Sequence, residues 1–210
     1  SPGLLSPSLS LQRLQMPVTL NMNIALTSAG VLQSVGGTVS TATGHVIVPE
    51  LYDMAVPVEN LSVTGNYDAA SGAWEISDLK ASLLDQDAPI PITLTAKNDP
   101  QHGALQFHVT LGNVNVSALK RWWPPTAAPG GYDWVSQFIH AGNVANSDLS
   151  MSLVRDEQQE WAVKDVTGKW EVQGIGVTFL PAFGPVTDVN GTATMDADNI
   201  QFKINYGRLH

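Results

Sequence analysis

The sequence predicts a mainly β protein of antiparallel strands with one short helix. Three observations lead there. Apolar residues recur with a period of two along most of the chain, turn-forming residues separate the alternating stretches, and only one stretch carries helical spacing.

The first alternation runs from Met16 to Leu26, where Met16, Val18, Leu20, Met22, Ile24 and Leu26 are apolar. Pro17, Thr19, Asn21, Asn23 and Ala25 stand between them. The pattern returns in Leu61/Val63/Tyr67, Ile90/Ile92/Leu94, Leu105/Phe107/Val109/Leu111, Leu149/Met151/Leu153 and Ile200/Phe202/Ile204/Tyr206. Strands with one apolar and one polar side belong to antiparallel sheets with one wet face. Asp68–Gly72, Asn98-Asp99-Pro100 and Asp196–Asn199 have turn chemistry, so successive hairpins follow. Parity slips at Gly112-Asn113 before Val114 and Val116 resume it, which predicts a bulge.

The helical stretch is Tyr132–Ala141, with Trp134, Val135, Phe138 and Ile139 on one face, Asp133 near its start and Gly142 past its end. Pro and Gly crowd Arg121–Gly131 before it, which predicts irregular chain. A boundary is expected there, between a β segment over 1–118 and a helix with a smaller β segment over 119–210. Asn60–Gly65, Asp165–Gly168 and Asp188–Gly191 share the form Asn or Asp, apolar residue, polar residue, Gly, and read as a repeated strand opening.

Of 210 residues, 43% are hydrophobic and only 14% charged, against roughly 25% charged in an average soluble domain. A β protein this poor in charge hides most of its surface or keeps an apolar face for another purpose. The net charge of −9 disfavours nucleic acid, whose phosphates are held mainly by Lys and Arg. It also disfavours electrostatic docking on anionic membranes. With no cysteine, disulfides and thiolate chemistry are excluded. The apolar runs fall far short of the ~20 residues that cross a bilayer as a helix. The start at Ser1 and the stop just after a strand pattern read as cuts in a longer polypeptide whose membrane anchor lies elsewhere.

No catalytic constellation emerges. His45, His102, His108, His140 and His210 make no paired zinc spacing. Asp196, Asp198 and Asn199 resemble the opening of a calcium loop without its Gly and closing Glu. Asp156, Glu157 and Glu160 read as a solvated hairpin loop. Nucleophile elbow, phosphate loop and dinucleotide fingerprint are all absent. No enzyme activity, metal or cofactor is therefore expected. Trp74, Trp161 and Trp170 fall within strands and are expected in the core, while Trp122 and Trp123 should anchor the Pro-rich crossover to the sheet. Many one-sided strands and a single helix leave two architectures open, a closed two-sheet sandwich or one long sheet curled into an apolar trough. A sugar-binding module with a tryptophan platform and a purely structural sandwich remain as rival functions.

The second half carries a resemblance. Arg121-Trp122-Trp123-Pro124, the helix with Tyr132–Val135, Ala141–Val144 with its strand, and Gly176–Pro185 followed by Val186–Gly191 and Asn199–Phe202 resemble the AsmA-like proteins of the bacterial envelope. The resemblance covers about residues 119–209. It implies a strongly curved, taco-like antiparallel groove lined with apolar side chains. It further implies a periplasmic protein anchored in the inner membrane, with phospholipid or another acyl-chain lipid and neighbouring β-repeats as partners. Combined with the alternation, it makes Leu20, Met22, Ile24, Ile92, Leu94, Phe107, Val109, Met151, Phe202 and Ile204 the expected lipid contacts.

Overall fold

The computed structural model describes residues 14–47, 49, 52–123, 129–155, 161–178, 184–197 and 199–209. Its strands are β1 (Leu14–Gln15), β2 (Thr19–Leu26), β3 (Leu32–Val46), β4 (Val56–Asp68), β5 (Trp74–Leu83), β6 (Ile90–Asp99) and β7 (Ala104–Leu111). They continue with β8 (Val114–Asn115), β9 (Ile139–Arg155), β10 (Trp161–Val177), β11 (Val186–Met195) and β12 (Ile200–Leu209). Helices α1 (Val116–Trp122) and α2 (Pro129–Phe138) lie between β8 and β9. All the strands join one antiparallel sheet of order β1-β3-β4-β5-β6-β7-β9-β10-β11-β12, with β2 also on β3 and β8 also on β9. The sheet is open and curled, a β-groove and not a closed sandwich.

Near-neighbour order follows from short turns. Asp68 Oδ1 accepts from Ser71 N at 2.8 Å in the β4–β5 turn. Asp99 Oδ1 accepts from Gln101 N and His102 N in the β6–β7 turn, and Asp196 Oδ1 accepts from Asn199 N in the β11–β12 turn. Each carboxylate replaces a backbone acceptor locally, the reason Asp leads these turns. Bonds from Ser71 hold the Asp68 carboxyl below its ordinary pKa, and the bond with His102 does the same for Asp99.

Three expectations need correction. The described residues hold two helices, not one. Arg121 and Trp122 lie in α1, whose N-cap Asn115 accepts from Ala118 N at 2.8 Å. The second helix starts at Pro129, where a fixed φ and a missing N–H suit the first turn, and ends at Phe138, so Ile139–Ala141 belong to β9. Gly112-Asn113 is an interruption, not a bulge, because Leu111↔Ser147 and Val114↔Val144 keep one register against β9. Residues 124–128 of the Pro-rich stretch, the acidic run Asp156/Glu157/Glu160, Asp198, His210 and residues 179–183 lie outside the described residues.

The third correction concerns the repeated phrase. It does not open strands; it interrupts them from within. Asn60 and Asp188 have φ of 53° and 54°, and pairing slips between Glu59 and Ser62 and between Thr187 and Asn190. Asp165 sits at a slip between Val163 and Asp165, and Asn146 (φ 49°) lies within a further slip between β9 and β10. Asn and Asp reach the left-handed region because their short polar side chains bond locally. An extra residue on one strand bends it and raises its twist.

Glycines supply the other cause of curvature. An added Cβ on Gly37 would stand 2.2 Å from Asn21 O of β2, and one on Gly191 would stand 2.2 Å from Lys203 O of β12. At both places the neighbouring backbone occupies the space a side chain would need, so the sheet bends towards the face those Cβ atoms would enter.

Two buried clusters lie where the helices meet the sheet. Val116, Ile139, Val172, Ile175, Val177 and Val189 form one cluster, with Val135 and Phe138 of α2 against it. Leu83, Ile90, Val114 and Ala118 form another, joined by Ile92, Leu111 and Trp122. A polar latch fixes α1. The Asp85 side chain has no exposed surface, pairs with Arg121 and accepts from Trp122 Nε1 at 2.7 Å. Burial works to raise the Asp85 carboxyl, but the bonds from the Trp122 indole, the Asp87 backbone and Arg121 outweigh it and lower its pKa. Lys120 Nζ donates to the Ser136 and Ile139 carbonyls at the end of α2. Trp122 thus does anchor the crossover.

Candidate functional site

Residues directly opposite each other in a sheet share a face, so the printed register can be followed strand by strand. One row runs Leu20↔Val39↔Val63↔Leu79↔Leu94↔Val109↔Leu149↔Gly168↔Met195↔Ile200 across ten strands without one polar side chain. The next row on that face is Met22↔Gly37↔Gly65↔Ile76↔Ala96↔Phe107↔Met151↔Val166. The opposite face is its inverse: Thr19↔Ser40↔Ser62↔Lys80↔Thr93↔Thr110↔Asp148↔Lys169↔Thr194↔Gln201. Along these rows the sheet has one apolar and one polar surface from edge to edge.

Gly37 and Gly191 lie on the apolar face, between Met22 and Gly65 and between Val172 and Ile204. Their close approaches therefore curl the sheet towards its apolar side. Among the described elements, only α1 and α2 cover that side, over the ends of β5, β6 and β9 to β11. Beyond them, no described element lies on it. Leu20, Met22, Ile24, Phe202 and Ile204 are 48–58% exposed, and Tyr67 is 40% exposed. Trp134 of α2 stacks obliquely on Phe202, with centroids 6.2 Å apart, where helix cover gives way to open face.

All ten expected lipid contacts lie on this apolar face. The structure divides them by cover: Ile92 packs against the α1 cluster and serves as core, while Leu20, Met22, Ile24, Phe202 and Ile204 are open. Leu94, Phe107, Val109 and Met151 are half-buried among neighbouring strands. The same face includes Val35, Val39, Leu79, Val166 and Met195, which the alternation did not single out. Glycines and bulges break the period around them in β3, β5, β10 and β11.

The tryptophans within strands share that face. Trp74 pairs with Tyr67 at the end of the row Ile24↔Val35↔Tyr67, and Trp170 pairs with Ala193, itself opposite Phe202. Trp161 carries the Arg155 guanidinium 4.2 Å above its ring. The polar face holds a shallow depression of about 510 Å³ bordered by Glu75, Lys97, Gln106, His108, Ser152 and Asp165. Its lining also takes in Ile76, Ala96, Phe107 and Met151 of the second apolar row, but no tryptophan or tyrosine. His108 there reaches Asp148 at 3.0 Å, an isolated pair. Among the described residues, no group of three or more His, Cys, Asp or Glu is placed to hold a metal ion, and no helix is long and apolar enough to cross a membrane.

Compared with protein-family models, curated proteins and solved structures, the chain returns no match.

Proposed function

We propose that the curled sheet is a non-enzymatic lipid-handling groove that takes acyl chains on its apolar face. The observation that carries this reading is the uninterrupted apolar row across ten strands, paired with an equally uninterrupted polar row behind it. A soluble protein leaves a continuous apolar surface of this kind open only where something apolar is to be received. Each acyl methylene buried there contributes about 0.8 kcal/mol, so a two-chain lipid needs no charged clamp in the groove. No charged side chain stands in either apolar row, and weak headgroup selectivity follows, with the polar head left at the mouth.

The resemblance of residues 119–209 to the AsmA-like family supports phospholipid as the cargo, passed between inner and outer membranes. It is also the sole support for a periplasmic location with inner-membrane anchorage. The position of Trp74, Trp161 and Trp170 on the aliphatic face, and not beside the acidic residues of the polar face, favours lipid over sugar as the ligand.

Native mass spectrometry of the purified chain, with uptake of a fluorescent phospholipid, tests the proposal. Co-purifying phospholipid should be lost when Leu20, Phe107 and Phe202 are replaced by Asp while the β circular dichroism spectrum persists. A folded chain that carries no lipid and takes up none would overturn it.

A further inference from the structure

A guanidinium stands on the apolar face, at the end of the central strands remote from α1 and α2. We infer, resting on the lipid-groove reading, that Arg155 receives the phosphate of a phospholipid whose acyl chains lie on that face. Arg155 is the last residue of β9 and pairs with Trp161, the first of β10. Two residues further in, Leu153 pairs with Val163 on one side and with Leu105 on the other. Two further again is Met151 of the second apolar row. Side chains two apart on a strand share a face, so Arg155 and Trp161 project from the apolar side. Both lie outside the two apolar rows, while the helices cover the opposite ends of these strands.

Neighbouring groups fix where this charge sits. Arg155 N donates to Gly103 O at 3.3 Å, and a Cβ on Gly103 would stand 3.7 Å from Arg155 Cγ, so the bare glycine borders the stem. The guanidinium lies 4.2 Å above the Trp161 ring. Stacking occupies the face of the planar group and leaves its in-plane N–H fork for an oxyanion. Five donors can serve more than one acceptor. Arg155 is exposed, and Val163 beside it is 58% exposed, so a ligand reaches both. From Arg155 back along β9, Leu153, Met151 and Leu149 extend the apolar face for about 20 Å. An acyl chain in one leaflet spans about 15 Å, half a bilayer core. A lipid with its phosphate on Arg155 therefore fits its chains between this rim and the helix-covered core. Phosphate is common to phospholipids of every headgroup, so Arg155 selects phospholipid over uncharged lipid while discrimination among headgroups stays weak.

Retention of lipids with matched acyl chains by the whole chain, read by native mass spectrometry, tests this. Phosphatidylcholine and phosphatidylglycerol should be retained to a similar degree, and each more than diacylglycerol. Raising the salt concentration should narrow that preference. Arg155→Met keeps an unbranched stem and a sulfur against the Trp161 ring while removing the charge. It should lower retention of both phospholipids about three- to ten-fold and leave diacylglycerol unchanged. Inorganic phosphate, which has no chains, should not displace either phospholipid. A wild type that retains phospholipid and diacylglycerol alike overturns the inference and leaves the groove standing. So does an equal loss of all three lipids in Arg155→Met, the mark of a merely structural residue, and so does displacement by inorganic phosphate. A wild type that retains none of the three lipids overturns the lipid groove itself, and the role of Arg155 with it.

Discussion

Gly36 and Gly37 are neighbours in β3 and face opposite sides of the sheet, which makes them a paired test of why it curls. A Cβ on Gly36 would find Gly65 O at 3.7 Å and Asn66 Cβ at 3.8 Å, ordinary contacts. A Cβ on Gly37 would meet Asn21 O at 2.2 Å, Met22 Cα at 3.0 Å and Asn21 C at 3.2 Å, all backbone, with no flexible side chain to move aside. Overpacking of this kind costs about 1–3 kcal/mol, and a contact this short against main chain belongs at the upper end. Gly36→Ala removes only the entropic cost of glycine in a strand and should stabilise by about 0.5–1 kcal/mol. The two substitutions should thus differ by about 3 kcal/mol and have opposite signs. For a chain of this size that is a separation of about 6–12 °C in Tm. Urea denaturation followed by tryptophan fluorescence, with calorimetry alongside, measures it. Equal effects from both alanines would refute the account of the bend, because nothing but the approach of β2 distinguishes the two sites.

Three other outcomes follow from particular contacts. Asn146 sits at φ 49° inside a strand; Asn146→Gly should be neutral or stabilising in denaturation, and Asn146→Val should cost roughly 1–2 kcal/mol. Trp122→Phe removes the indole donor from the Asp85 carboxylate, and should lower stability at pH 7 by about 1–3 kcal/mol because a buried charged acceptor loses a partner. Since the folded-state pKa of Asp85 is depressed, its contribution is complete above the ordinary value of 3.8 and fades as pH falls through the lower folded value. Wild type and Asp85→Asn should therefore differ in urea midpoint at pH 7, with the gap closing as pH falls below the ordinary value of 3.8, and a gap that is constant with pH would sink the latch assignment.

Much of the sheet was legible from period alone. The runs Leu20–Leu26, Leu105–Leu111 and Ile200–Tyr206 alternate cleanly because each meets the apolar surface on one side and water on the other, and that contrast is local to the strand. The turn carboxylates Asp68, Asp99 and Asp196 were readable for the same reason, since each acts within three residues of itself. β3 was not, because Gly36-Gly37 and its run of Ser and Thr remove the apolar signal where the bend needs bare backbone. α1 was obscured by the Pro-rich composition just after it, which hid a helix held by Asn115 and by tertiary contacts to Asp85.

What the sequence determined by itself was that each strand would have two unlike faces, since alternation is a property of consecutive residues. It left open whether those faces would close against a second sheet. Tertiary structure decided that, through register: Leu20 and Ile200 fall in one row only because eight intervening strands keep parity through their bulges. The direction of curl was likewise set between strands, where the backbones of β2 and β12 fill the space above Gly37 and Gly191. No local pattern encodes the approach of another strand. The division of the apolar residues into helix-covered core and open face came last, from where α1 and α2 come to rest.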